Sequence, residues 1–313
     1  MGDLKKVGII GAGHVGSHCA YAMLLQGVCD EIIFVDINKE KAVSQGLDCM
    51  DTVSFIPHKT KITAGELKDA AGTDIIVISV GGIQDEDRMA ELYSSHDIIK
   101  EIIPEIMEYG FKGIFVVITN PVDIVTYLVQ KYSGLPYNKV IGTGTGLDSA
   151  RFRRILSTEL EIDAKSIQAW VIGEHGNSQI PVFSSASVNG KLLSDLIKEN
   201  PEKFSNIDFK NIEKKVISAG WDIYRGKKST EFGIGCTCAE LVKAVFHDEK
   251  KVLPCSVFLN NEYDNSGIYT GIPAVVGKNG VEYTIQVPVN NEEKEKFDLS
   301  CNIIKKNLKK LGF

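Results

Sequence analysis

Short, uninterrupted apolar runs alternate with longer stretches in which apolar residues recur every three to four positions, and this rhythm governs the first 143 residues. The runs Lys6–Ile10, Glu31–Val35, Lys61–Thr63, Asp74–Val80, Gly113–Ile118 and Lys139–Ile141 read as strands. Between them, helical patterns cover His14–Gln26, Lys39–Asp51, Arg88–Tyr109 and Pro121–Tyr132. A strand that is apolar at every position must be covered on both faces, so the pattern predicts an α/β protein built on a doubly wound parallel sheet. Gly27 and Gly110 stand where helix C-caps are expected, and Pro121 where the first turn of a helix tolerates it.

After Gly146 the rhythm changes. A helix over Leu147–Leu160 leads into a strand at Ile167–Ile172, followed by helices near Phe209–Tyr224 and Thr230–Phe246. Short strands occupy Val252–Val287, with turns at Asp264–Gly267 and Lys278–Gly280, and a charged helix spans Glu292–Lys310. This half reads as α+β, which divides the chain into residues 1–143 and a substrate domain at 144–313. A length of 313 residues suits two domains of ordinary size. With 43% hydrophobic and 24% charged residues, the composition is that of a globular protein. A net charge of −6 argues against a broad basic face for nucleic acid or anionic lipid. No apolar run is long enough to cross a bilayer, and the start of the sequence lacks a signal-peptide core. Seven scattered cysteines without a C-x-x-C pair favour a reducing cytoplasm over a disulfide framework or a thiolate metal site.

Gly11-Ala12-Gly13-His14-Val15-Gly16 forms a G-x-G-x-x-G motif that follows the first strand and opens the first helix. Asp36 ends the next strand, 20 residues past Gly16. Glycines allow a tight turn and close approach of a pyrophosphate, whose charge meets the exposed amides of a helix start. A carboxylate at Asp36 accepts ribose hydroxyls and repels a 2′-phosphate, which favours NAD over NADP. Together these features predict a Rossmann dinucleotide site with Gly11, Gly13, Val15, Gly16, Asp36 and Lys41 on one side. Gly81 and Gly82 end the fourth strand, and Ile118 and Asn120 end the fifth, where ligands of doubly wound sheets bind. His14 and His18 have a spacing that can hold a metal, but no third ligand accompanies them and no metal is expected.

Two segments, Gly146-Leu147-Asp148-Ser149-Ala150-Arg151-Phe152-Arg153 and Gly173-Glu174-His175-Gly176-Asn177-Ser178, carry a more specific signal. With Asn120-Pro121-Val122-Asp123 and Lys139–Thr145, they resemble the signature segments of the L-lactate/malate dehydrogenase superfamily, and the resemblance extends from the first strand to Val276. It implies hydride transfer between nicotinamide and C2 of a 2-hydroxy acid. An imidazole that titrates near neutrality suits the proton exchange, which places His175 at the centre. By the same resemblance, Asp148 bonds the far ring nitrogen and Arg88 polarises the substrate carbonyl from a mobile loop. Asn120 bonds the substrate oxygen, and Thr230 lines the pocket. Arg151 can grip a carboxylate with two donors, and it shares a helix face with Asp148 three residues earlier. Singly, each of these is more often a loop histidine, a surface ion pair or a solvated base. In family order, downstream of a cofactor motif, they read as a site.

Malate enzymes of this family place arginine where this sequence has Gln84. A neutral Gln84 among Asp85, Glu86 and Asp87 leaves a second carboxylate unpaired, so a small monocarboxylic 2-oxo acid is the expected substrate and pyruvate the leading one. The stretch Gly82–Arg88 is shorter than in typical lactate dehydrogenases. Gly220 stands where they usually have alanine, as in L-2-hydroxyisocaproate dehydrogenases, which keeps larger branched 2-oxo acids as the alternative. A non-catalytic NAD-binding protein of the same fold is the competing class. The family further implies a homotetramer. Activation by fructose 1,6-bisphosphate is not expected, because Arg153 has Gln168 rather than a histidine as its companion.

Overall fold

Apolar β-branched runs, each only three to five residues long, build the centre of the protein. The computed structural model describes residues 4–81, 88–204 and 206–313, the side chains of 88–90 excepted. The first half runs β1 (Lys6–Ile10), α1 (His14–Gln26), β2 (Glu31–Val35), α2 (Lys39–Asp51), β3 (Lys61–Ala64) and α3 (Leu67–Ala71). It continues through β4 (Ile75–Ile78), α4 (Arg88–Glu108), β5 (Ile114–Val117), α5 (Val122–Ser133) and β6 (Val140–Gly142). The second half begins with α6 (Gly146–Leu160), β7 (Ile167–Ile172), β8 (Ile180–Val188), β9 (Lys191–Leu192), α7 (Leu193–Glu199) and α8 (Pro201–Phe204). It ends with α9 (Phe209–Lys227), α10 (Phe232–Phe246), β10 (Lys251–Asn260), β11 (Ser266–Gly277), β12 (Gly280–Thr284) and α11 (Asn291–Lys310).

The sheet order is β12-β11-β10-β6-β5-β4-β1-β2-β3, and β1 to β6 are parallel throughout. Val7 pairs with Ile32 on one side and with Ile75 on the other, so the chain winds outward in both directions from β1 and β4. Ligands of such sheets bind beyond the carboxyl ends of strands at this reversal. Every residue of β4 is fully buried, and each such isoleucine or valine contributes about 1.5–3 kcal/mol over leaving it exposed.

The β10–β12 strands are longer than the sequence pattern suggests, and they continue the first sheet antiparallel rather than standing apart. The junction is the pair Ser256–Gly142. A Cβ at Gly142 would lie 2.4 Å from Thr126 Oγ1 and 2.7 Å from Ser256 Cβ, so only glycine lets β6, α5 and β10 meet this closely. The smaller sheet β7-β8-β9 packs with α6 and α9 around Phe152, Leu156, Leu160, Val171 and Val216. Through α6, β7 and the start of α5, both layers deliver side chains to one place.

Candidate active site

The glycine loop is held against the end of β4. Gly11 has φ +102°, and a Cβ there would lie 2.3 Å from the Ser79 carbonyl oxygen. One at Gly16 would lie 2.0 Å from the Gly11 carbonyl oxygen. Gly13 differs: its nearest neighbour would be Lys41 Nζ at 3.9 Å, so space remains open above it. At Gly81 a Cβ would meet nothing within 4 Å. Asp36 accepts the Ala12 amide at 2.7 Å and the Asn38 amide at 2.9 Å, which fixes its carboxylate beside the loop. Helix α1 starts without a side-chain cap and without an acid in its first turn, so its positive end stays available to an anion. A tight loop with one open glycine, an uncapped helix start and a fixed carboxylate fits a dinucleotide. Val15 is half-buried in that first turn, and Ile118 is buried at the end of β5. Asn120 is exposed beyond it, its carbonyl accepting Ser95 Oγ at 2.8 Å and its peptide bond to Pro121 cis. Pro121 thus precedes α5 rather than lying within its first turn. Gly82 and Gln84 lie outside the described residues, as does the side chain of Arg88 at the start of α4.

The second cluster lies where α6, α5 and the loop after β7 converge. Asp148 and Arg151 sit one turn apart on α6, and Arg151 Nη1 donates to Asp148 Oδ1 at 3.0 Å. His175 Nδ1 meets Asp148 Oδ2 at 2.5 Å. Asp148 has no exposed surface, whereas the His175 side chain keeps 24%, so the free face of the ring remains reachable. Arg151 Nε is buried with no partner among the described residues, which leaves donors for an incoming carboxylate. Gly220 on α9 faces this guanidinium, with its Cβ position 3.4 Å from Nη1. Thr230 is half-buried between α9 and α10.

Asp123, the last residue of Asn120-Pro121-Val122-Asp123, has no role expected from the sequence. The structure puts Asp123 under His175: its Oδ2 accepts the His175 amide at 2.8 Å, and its Oδ1 accepts Ser256 Oγ at 2.5 Å. An aspartate in the first turn of a helix reads as a helix-end charge, and nothing local points to a loop 52 residues away. Gly173, at φ +89°, exchanges two backbone hydrogen bonds with Gly271, and Ser300 Oγ accepts the Glu174 amide at 2.8 Å. The backbone of the histidine loop is therefore clamped at three successive residues.

These contacts set the charges. Burial alone would raise Asp148, but the charge and hydrogen bond of His175, together with Arg151, outweigh it and hold the carboxyl below its ordinary range. Burial works to lower His175, yet the charge and hydrogen bond of Asp148, helped by Asp123, prevail and raise it. Asp123 is pushed up to about 7 by burial, against the hydrogen bonds from Ser256 and the His175 amide. The result is an imidazole biased towards its protonated form beside a guanidinium with free donors.

Other expected residues stand apart from this cluster. Arg153 Nη1 donates to the Ala169 carbonyl at 3.3 Å, beside an exposed Gln168 on β7. His18 Nδ1 donates to the His14 carbonyl at 2.7 Å, a local bond within α1.

The profile of the lactate/malate dehydrogenase NAD-binding domain matches residues 5–142, and that of the lactate/malate dehydrogenase alpha/beta C-terminal domain matches residues 145–312. The chain belongs to the lactate/malate dehydrogenase family. An L-lactate dehydrogenase of Fusobacterium nucleatum is 53% identical over 307 residues, 98% of this chain and 96% of the relative. L-lactate dehydrogenase 3 of Bacillus anthracis is 39% identical, covering 99% and 98%. Among solved structures, the ligand-bound minor L-lactate dehydrogenase of Enterococcus mundtii superposes with a TM-score of 0.95 at 36% identity, over 98% of each chain. A lactate dehydrogenase from a Medee basin deep-sea metagenome gives 0.94 at 37% identity, over 99% of each chain. In this lactate/malate dehydrogenase, the Rossmann half binds NAD, and the second cluster sits beyond the carboxyl ends of the parallel strands.

Proposed function

We propose that this chain is an L-lactate dehydrogenase that reduces pyruvate to L-lactate with NADH and reverses the reaction with NAD. The observation that carries the reading is the Arg151–Asp148–His175 chain, with contacts of 3.0 and 2.5 Å, at the same carboxyl ends of the parallel strands as a glycine loop that fits a dinucleotide. Bound nicotinamide supplies the hydride in reduction and accepts it in oxidation. The protein's own groups do the rest. Arg151 holds the substrate carboxylate with donors not spent on Asp148, and this fixes C2 relative to the ring of His175. In reduction, Nε2 of the imidazolium gives its proton to the carbonyl oxygen as negative charge develops there. Asp148 keeps Nδ1 protonated and stabilises the charged ring before transfer. In the reverse direction the neutral ring takes the hydroxyl proton, and the same carboxylate stabilises the product imidazolium. Asn120 and Arg88 aid the substrate oxygen, Thr230 and Gly220 border the pocket, and Gly11, Gly13, Val15, Gly16, Asp36, Lys41, Gly81, Gly82 and Ile118 hold the dinucleotide.

Gln84 carries no charge for a second carboxylate, which supports pyruvate over oxaloacetate. A cytoplasmic homotetramer is the assembly we infer. Exposed Tyr21, Leu25, Val43 and Leu47 on the adjoining helices α1 and α2 support burial against another copy, and seven free cysteines suit a reducing compartment. Following NADH absorbance with pyruvate, 2-oxobutyrate, 2-oxoisocaproate, phenylpyruvate and oxaloacetate tests the assignment. Pyruvate should give the highest kcat/KM, and the product should be the L enantiomer. A lack of turnover with every 2-oxo acid would overturn it.

A further inference from the structure

Helix α11 buries Phe297, Ser300, Cys301, Ile304 and Leu308 on one face, so a hydroxyl stands in an otherwise apolar stripe. Ser300 has no exposed surface, and a buried hydroxyl is costly unless it is hydrogen-bonded. Its partners lie in the loop after β7. Ser300 Oγ accepts the Glu174 amide at 2.8 Å and lies 3.0 Å from Ser178 Oγ. Ser178 in turn donates to Glu174 Oε2 at 2.5 Å. A serine carries one hydroxyl hydrogen, and a carboxylate only accepts. With the Ser178 hydrogen spent on Glu174, the Ser300 hydrogen goes to Ser178 Oγ.

The hydrogen bonds therefore leave Glu174 by its backbone N–H, pass through Ser300 and Ser178, and return to the Glu174 carboxylate. Bonds that run in one direction polarise and strengthen one another. Gly173, the residue before, comes so close to α11 that a Cβ there would stand 2.8 Å from Ser300 Oγ. The residue after is His175, whose own amide is taken by Asp123 on α5 at 2.8 Å. The amides on either side of the Glu174 Cα are thus fixed from two different helices. This sets the backbone angles of Glu174, and with them the direction in which His175 leaves the chain. A ring that must meet both Asp148 and a substrate oxygen tolerates little displacement, since misplacement by about 1 Å can cost about 100-fold in rate.

We propose that Ser300 on α11, acting through Ser178 and Glu174, is a positioning residue for His175: the closed ring of hydrogen bonds holds the histidine loop where Nδ1 meets Asp148. The proposal rests on the dehydrogenase reading above. Alanine differs from serine only by the hydroxyl, so that substitution keeps the stripe of α11 and cuts the ring.

Steady-state kinetics of the full-length enzyme, normalised to active sites counted by NADH binding, test it. Ser300→Ala should lower kcat for pyruvate reduction by about tenfold and leave KM for pyruvate within about twofold, because Arg151 is untouched. The pH profile of kcat/KM is a readout that a role in stability alone would not move. Asp148 and Arg151 from α6 and Asp123 from α5 face His175, with Glu174 beside it in the loop, and the variant keeps all four. Asp148 raises His175, so a ring shifted away from it should titrate lower, and reduction should weaken at lower pH than in wild type. Ser178→Ala should show the same two changes and add nothing in the Ser300→Ala background. Ser178→Thr, which keeps a hydroxyl at a half-buried position, should recover most of the loss. Folded Ser300→Ala with kcat and pH profile unaltered would overturn the proposal, as would a loss confined to KM or to Tm. Should Ser300→Ala fail to fold, Ser178→Ala and Ser178→Thr decide in the same way. Wild-type enzyme silent towards every 2-oxo acid would instead defeat the dehydrogenase reading on which the proposal stands.

Discussion

His175 Nδ1 lies 2.5 Å from Oδ2 of Asp148, a carboxylate with no solvent exposure whose other oxygen is taken by Arg151. One buried carboxylate thereby orients both the imidazole proposed as proton donor and the guanidinium proposed as substrate anchor. Asp148→Asn keeps the shape and removes the charge. We expect kcat for pyruvate reduction to fall by about 100-fold or more, because the charged ring loses its counter-charge. The pH profile should move as well. His175 is raised in the intact protein, so reduction weakens as pH climbs through that raised value, and in the variant the weakening should come at lower pH.

The same pair makes a stability contribution with two edges. Raised His175 stabilises the fold at pH below its unfolded value and loses that effect as pH rises through its folded value. Lowered Asp148 stabilises above its unfolded value and loses that effect as pH falls through its folded value. The Tm gap between wild type and Asp148→Asn should therefore be widest between about pH 4 and 6.5, in the window bounded by the ordinary aspartate and histidine values. A gap that does not vary with pH would show that the coupling is absent.

Asp123 acts from below. Its two oxygens accept the His175 amide and the Ser256 hydroxyl, so an amide in its place turns an NH₂ group towards a donor. One buried donor left unpaired costs about 1–3 kcal/mol, and Asp123→Asn should lower Tm by several degrees and kcat along with it. Asp123 is pushed up to about 7, which means the folded protein holds this proton over a range where the unfolded chain has released it. Its contribution to stability therefore declines as pH rises from about 5 towards 7, and the Tm difference between wild type and Asp123→Asn should narrow over that range. Thermal melts at both ends of the range check the direction.

The two outer positions of the glycine motif's second half should separate folding from cofactor binding. A Cβ at Gly16 would press to 2.0 Å on the Gly11 carbonyl oxygen, so Gly16→Ala should lose stability and cofactor together. At Gly13 the nearest atom is a lysine tip at 3.9 Å, so the added methyl enters open space, which the proposed function gives to the dinucleotide. Gly13→Ala should melt like wild type and yet raise KM for NADH by about tenfold. Equal Tm losses in both variants would remove Gly13 from the cofactor surface.

What the sequence made legible follows from range. Strands β1, β2 and β7 and helices α1 and α2 have the bounds expected from pattern, because each is a run whose neighbours in sequence define it. Strand β8 is not legible in the sequence: Pro181 and the Ser184–Ser187 stretch interrupt its apolar pattern, and it is held by pairing with β7 and by Glu293 accepting the Phe183 and Ser184 amides. The five-residue α3 is too short to show a period. In the site, Asp148 and Arg151 could be placed on one helix face, but their approach to His175 needs β7 beside α6. Asp123 and Ser256, 133 residues apart, meet only because β10 joins the first sheet at Gly142. Local spacing carries no signal for such contacts.

Gly220 stands against the Arg151 guanidinium. The position faces Arg151 at 3.4 Å, close enough that an added methyl must move either the guanidinium or α9 by a few tenths of an ångström. In the proposed function any 2-oxo acid uses that guanidinium, so Gly220→Ala should raise KM for pyruvate modestly. If Gly220 borders the pocket as proposed, a larger C3 group also needs the volume that glycine leaves, and 2-oxoisocaproate should suffer further, by about tenfold relative to pyruvate. Both effects should fall on KM, because His175 and Asp148 are untouched. Parallel losses for the two substrates would confine Gly220 to the carboxylate anchor, whereas a purely kcat effect would place its influence on the proton-transfer geometry instead.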